Sequence, residues 1–114
     1  MTATIWHNPR CSKSRQTLQL LRDRGYDPQV VDYQKTPPST DEILEVLKLL
    51  GLKPIELMRT KEAVFKELQL SKSDDDETLV EAMRNYPILI ERPIVMNEGK
   101  AAIGRPPESV LPIL

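Results

Sequence analysis

The chain has a single cysteine, almost no net charge and no long apolar run. Each scarcity narrows what it does. One cysteine cannot close an internal disulfide. If that thiol is oxidised, nothing in the same chain can resolve it, so the resolving thiol must come from a small thiol, another protein or a second copy. A formal charge of −1 gives no global pull toward nucleic acid or membrane, and neither is expected as a partner. Any anion site must therefore arise from local placement of charge. No apolar stretch approaches the ~20 residues needed to span a bilayer, and the N-terminus lacks the basic, apolar and small-residue pattern of a signal peptide. With one unpaired cysteine, these absences predict a cytoplasmic protein. What is present, 39% apolar and 29% charged residues, suits one domain over residues 1–114 built on one core.

The cysteine is Cys11, in Trp6-His7-Asn8-Pro9-Arg10-Cys11-Ser12-Lys13-Ser14-Arg15. The apolar start at residues 3–7 reads as a first strand, and a helical pattern begins just after the cysteine. A thiol at such a strand-to-helix turn meets the positive end of the helix dipole and the free N–H groups of the first turn. Arg10, Lys13 and Arg15 add positive charge. All of this favours the thiolate, which is the reactive form. Free cysteines are commonly core residues, but Pro9, Arg10, Ser12, Lys13 and Ser14 are poor company for a core position. The pattern points to a nucleophilic cysteine in a site built to hold an anion.

Further elements follow from periodicity and punctuation. The first helix spans Ser12 to Arg24, with Thr17, Leu18 and Leu21 on its apolar face and Gly25 as its stop. Residues 28–33, β-branched in the middle, read as a second strand. Ser39 or Thr40, with Glu42, caps a helix that Gly51 ends. Short helices are expected at 55–58 and 62–68. Asp75 or Asp76 caps a helix over 77–85; capping and solvation explain the acids at 74–76 better than a metal site, since no partner ligands are evident. Ile94 to Met96 and Lys100 to Ile103 form a hairpin around Asn97-Glu98-Gly99, and residues 107–113 a final helix weakened by Pro112. The βαβ start should make strands one and two parallel. The expected fold is α/β: a four-stranded mixed sheet flanked by helices.

The chain also resembles a known family, the thioredoxin-fold arsenate reductases that depend on glutathione and glutaredoxin, and in particular its short bacterial members. The resemblance runs through five motifs in order: His7 to Arg15, Thr36-Pro37-Pro38, Glu56-Leu57-Met58-Arg59, Pro87 to Val95, and Gly104-Arg105-Pro106. It implies a thioredoxin-like fold with a helical insertion in the middle. It also implies reduction of arsenate, or a similar oxyanion, with glutathione as co-substrate, glutaredoxin as protein partner, and no bound cofactor or metal. By resemblance Cys11 is the nucleophile, and Arg59, Arg92 and Arg105 are oxyanion-binding arginines. His7 and Ser14 set the charge state of the cysteine, and Pro93 is a cis-proline beside it. General chemistry is compatible with these roles. Guanidinium groups present fixed forks of donors that suit oxyanions, and Ser14, one helical turn beyond Cys11, is placed to donate to the sulfur. Arg22 and Arg24, by contrast, fit an exposed helix face.

Two other functional classes fit parts of the pattern. A redox-linked regulator of the Spx type, which binds RNA polymerase, shares the fold but often carries Cys-x-x-Cys, where this chain has Ser14. A monothiol glutaredoxin-like thiol transferase would be expected to have small and aromatic residues where this chain has Ser12-Lys13-Ser14.

Overall fold

The structure is a computed structural model and describes residues 3–114. The chain divides into two compact units. One comprises the residues up to Thr36 together with Arg92–Leu114; the other is Pro37–Glu91.

The first unit holds the sheet. β1 (Thr4–His7) is followed by α1 (Ser12–Asp23) and β2 (Gln29–Asp32). β3 (Ile94–Asn97) and β4 (Lys100–Ile103) close the unit with a hairpin. The strand order is β2-β1-β3-β4. β1 and β2 are parallel, as a helical crossover requires, with Ile5 opposite Val30 and His7 opposite Asp32. β3 runs antiparallel to both β1 and β4. The turn between β3 and β4 has positive φ at both Glu98 (49°) and Gly99 (77°), the signature of a two-residue hairpin loop whose twist matches that of the strands.

Ala3, Ile5, Leu18, Leu21, Tyr26, Val95 and Val110 form the core, so α1 and the C-terminal segment both pack on the sheet. Burying a side chain such as Leu21 or Ile5 completely, as here, contributes ~1.5–3 kcal/mol each. Residues Pro107–Ile113 form a 3-10 helix rather than an α-helix. Pro112 supplies no N–H inside this segment, which removes one α-helical hydrogen bond near its end. The Asn97 side-chain amide ties this segment to the sheet by donating to the Ile113 carbonyl at 2.7 Å.

The second unit lies between β2 and β3 in the chain and is helical: α2 (Thr40–Leu50), α3 (Pro54–Leu57), α4 (Ala63–Glu67) and α5 (Asp76–Asn85). Ser39 is the cap of α2, in a full capping box with Glu42. Asp75 caps α5, accepting the Thr78 N–H at 2.8 Å. Asp74 accepts the Ser71 N–H at 2.9 Å, so two of the three clustered acids serve the local backbone. α5 packs on α2, on α3 and on the 3-10 turn Pro87–Leu89. Its buried face is Leu79, Val80, Ala82 and Met83, and that of α2 is Ile43, Val46 and Leu47. Among the described residues no helix is long and apolar enough to cross a membrane.

Candidate active site

The site in the first unit is built on the turn between β1 and α1. Asn8 organises this turn three times over. Its carbonyl accepts the Cys11 N–H at 3.0 Å, its side-chain oxygen accepts the Arg10 N–H at 3.0 Å, and its own N–H donates to Ser14 Oγ at 3.0 Å. Arg15 donates to the Pro9 carbonyl at 2.9 Å from the first turn of α1. Cys11 is the residue that caps α1, with extended backbone (φ −96°, ψ 123°), and its carbonyl accepts the Arg15 N–H at 3.0 Å. The cap position usually carries a side-chain oxygen facing the orphan N–H groups of the first turn. Here a half-buried sulfur occupies it.

Two arginines from the far end of the sequence complete the surroundings. Arg105, after β4, donates to the Cys11 sulfur at 3.5 Å and, through Nε, to the Arg92 carbonyl at 2.7 Å. Arg92, before β3, turns its guanidinium toward the same sulfur. Burial pushes the Cys11 thiol up. The N–H of Ser14, the Arg92 guanidinium, the N–H of Lys13 and the charge of Arg105 together outweigh burial and hold it below the ordinary thiol value.

His7 and Ser14 form a buried pair beneath the turn, with Nδ1 and Oγ 2.6 Å apart. Burial drives the His7 pKa down; Asp32 partly opposes this, while Arg22 and Arg15 add to it, and the net shift is downward. Ser14 Oγ has His7 Nδ1 and the Asn8 N–H as its partners. The Ser14 residue reaches the sulfur with its backbone N–H.

The Arg92–Pro93 and Arg105–Pro106 peptides are both cis. The Gly104 N–H donates to the Pro93 carbonyl at 2.9 Å, which links the two arginine-bearing segments. Gly104 is also a point of close approach. A Cβ there would overlap Thr17 Oγ1 and come within 2.9 Å of Pro93 Cγ. Gly104 belongs to the Gly104-Arg105-Pro106 motif, but its close packing is not visible in the sequence, and Tyr33, whose buried phenol faces Arg92, does not stand out there. Tyr33 reads there simply as the end of a strand.

Cys11, Arg92, Arg105, His7, Ser14 and Pro93 are thus assembled in the first unit. Arg59 belongs to the second. It follows α3, where Met58 bridges Ile90 and the Arg59 N–H donates to the Leu89 carbonyl at 2.7 Å. Its guanidinium is paired with two carboxylates, Glu62 at 3.0 Å through Nε and Glu91 at 2.9 Å through NH1. These partly exposed pairs contribute ~0–1 kcal/mol each. Their clearer effect is to fix which way the guanidinium points.

A mixed sheet in the order β2-β1-β3-β4, a cysteine capping the first helix and a cis-proline opening the third strand define a thioredoxin-like protein. Residues 6–113 match the ArsC family, and the chain belongs to that family. It is 53% identical over 112 residues to the uncharacterised protein YfgD of Escherichia coli K12, covering 96% of this chain and 94% of that protein. It is 46% identical over 112 residues to an arsenate reductase of Neisseria meningitidis, covering 96% of both. Among solved structures, an arsenate reductase from Vibrio cholerae superposes with a TM-score of 0.97 at 49% identity, covering 100% of this chain and 98% of that one.

Proposed function

We propose that this protein is an arsenate reductase that uses Cys11 as its nucleophile and takes its electrons from glutathione and glutaredoxin. The observation that carries the reading is the Cys11 sulfur itself. It is held below the ordinary thiol pKa and flanked by Arg92 and Arg105, with the first-turn N–H groups of α1 turned toward it. The 46% identity to an arsenate reductase supplies the identity of the oxyanion. Arg92 and Arg105 offset the charge that accumulates when an anion approaches a thiolate. Arg59 is assigned the same task on its motif, Glu56-Leu57-Met58-Arg59, alone. His7 and Ser14 hold the turn in which the thiolate forms, and Pro93 lies next to Arg92 in the chain.

The chemistry runs in three steps. The Cys11 thiolate attacks pentavalent arsenic, forms a sulfur–arsenic bond and displaces one oxygen as water; no electrons change hands. Glutathione displaces a second oxygen in the same way. A glutaredoxin thiolate then attacks the glutathione sulfur and forms a mixed disulfide. The electron pair of the broken sulfur–arsenic bond stays on arsenic, which becomes trivalent. Hydrolysis of the Cys11–arsenic bond releases arsenite and restores the thiol.

The test is a coupled assay containing arsenate, glutathione, glutaredoxin, glutathione reductase and NADPH. Arsenate-dependent NADPH oxidation is expected, and it should vanish with Cys11→Ser. Oxidation that survives this substitution would remove Cys11 as the nucleophile. Absence of arsenate-dependent oxidation in the wild type would remove the activity.

A further inference from the structure

Tyr33 is left unused by the chemistry above. It directly follows β2, whose register sets Asp32 opposite His7, and it is the bulkiest of the fully buried side chains. Its hydroxyl oxygen is sealed from solvent, as are Nε and NH1 of Arg92. A phenol oxygen taken out of water is costly unless a polar group faces it. Phenylalanine would fill the same space without that cost, so the hydroxyl calls for a function. The group facing it is the Arg92 guanidinium, which also faces the Cys11 sulfur. Arg92 is thereby constrained at both ends. Its carbonyl is held by Arg105 Nε at 2.7 Å, and its guanidinium lies between a rigid phenol and the thiol. The charged side chains acting on the sulfur are Arg92 and Arg105, from opposite flanks of the β3–β4 hairpin.

We propose that Tyr33 is a positioning residue: its buried hydroxyl fixes the Arg92 guanidinium against the Cys11 sulfur, where Arg92 acts on the nucleophile. The inference rests on the reading of Cys11 as the nucleophile and adds a residue that acts on it through another. The phenol oxygen accepts an N–H of Arg92. Its ring is locked in the core, so the acceptor does not move when the thiol changes charge.

The experiment is the pH profile of Cys11 alkylation by iodoacetamide in the full chain, where one cysteine gives one signal. Tyr33→Phe removes a single oxygen and keeps the ring. Its expected effect is a rise in the Cys11 pKa of roughly half to one unit, with a several-fold slower reaction at pH 7. In an Arg92→Gln background the same substitution should add no further shift, because its effect passes through the guanidinium. An unchanged profile for Tyr33→Phe, or an equal shift in the Arg92→Gln background, overturns the proposal. A purely structural role would lower the melting temperature without moving the thiol. A second measurement needs no variant. Arg92 in the 15N-labelled wild-type protein should show hindered rotation of its guanidinium, and free rotation would also overturn the proposal. None of these readouts depends on arsenate turnover. Failure of the coupled assay beside a shifted thiol pKa would therefore discard the activity and keep the role of Tyr33.

Discussion

At Cys11, burial and charge act in opposite directions, and charge wins. Partial burial alone would raise the thiol pKa; the first-turn amides and two guanidinium groups bring it below the ordinary value instead. The cysteine and its turn are recognisable in the sequence, because a lone thiol among charged residues at a strand-to-helix junction stands out; Arg92 and Arg105 are picked out only by the family resemblance. The hydrogen-bond partners are not recognisable there. Ser14 sits one turn beyond Cys11, which suggests a hydroxyl aimed at sulfur, yet the 2.6 Å contact with buried His7 claims it. Spacing along a helix gives proximity; the orientation of a hydroxyl depends on what lies beneath it. The buried histidine also gives a pH-dependent stability. Its folded pKa lies below the unfolded value of about 6.5. Above that pH both states are neutral and His7 contributes no slope. As pH falls below about 6.5 the unfolded chain takes up a proton before the native one does, so stability drops until the lowered folded pKa is passed. His7→Gln should therefore show a shallower loss of melting temperature from pH 7.5 to pH 5 than the wild type. Parallel profiles would mean that His7 does not titrate differently in the two states.

At the scale of elements, local signals carried far. The capping box at Ser39 and Glu42, the Asp75 cap and the hairpin at Glu98-Gly99 are short-range devices, readable from a few neighbouring residues. The apolar spacing of the C-terminal segment fits a helix, but Pro112 removes an α-helical donor inside it and the segment is 3-10. Close approach between elements leaves no local trace, and Gly104 illustrates this. It lies against Thr17 of α1 and against Pro93, and its N–H holds the Pro93 carbonyl, so the residues on either side of the β3–β4 hairpin are set by the absence of one methyl group. Gly104→Ala is expected to cost ~1–3 kcal/mol by overpacking, measured by urea denaturation. It should also raise the Cys11 pKa by displacing Arg105. Adding Thr17→Ala removes part of the overlap and should give a double variant more stable than the sum of the two single losses predicts. Additive losses would show that the strain lies elsewhere.

At the scale of the whole molecule, the composition constrains the reaction as firmly as the site does. Reducing arsenate to arsenite takes two electrons, which two thiols supply by forming one disulfide. This chain has one thiol. Under the proposed mechanism the sulfur–arsenic bond that Cys11 makes moves no electrons, so the protein alone with arsenate should release no arsenite, however long it is incubated. Glutathione and glutaredoxin should start turnover. Cys11 should remain reduced between cycles, visible as an unmodified intact mass after the donors are exhausted. One competing outcome is specific enough to recognise. If two copies of the chain pool their cysteines, arsenate alone would yield a burst of one arsenite for every two chains, together with a covalent dimer on a non-reducing gel. Seeing both would replace the external donors with a second copy of the protein. A burst of one arsenite per chain would mean that Cys11 alone gives up both electrons and becomes a sulfenic acid, which would remove glutathione and glutaredoxin from the reduction step. Rapid mixing of the reduced protein with arsenate, followed by arsenite quantification with and without added thiols, distinguishes these results.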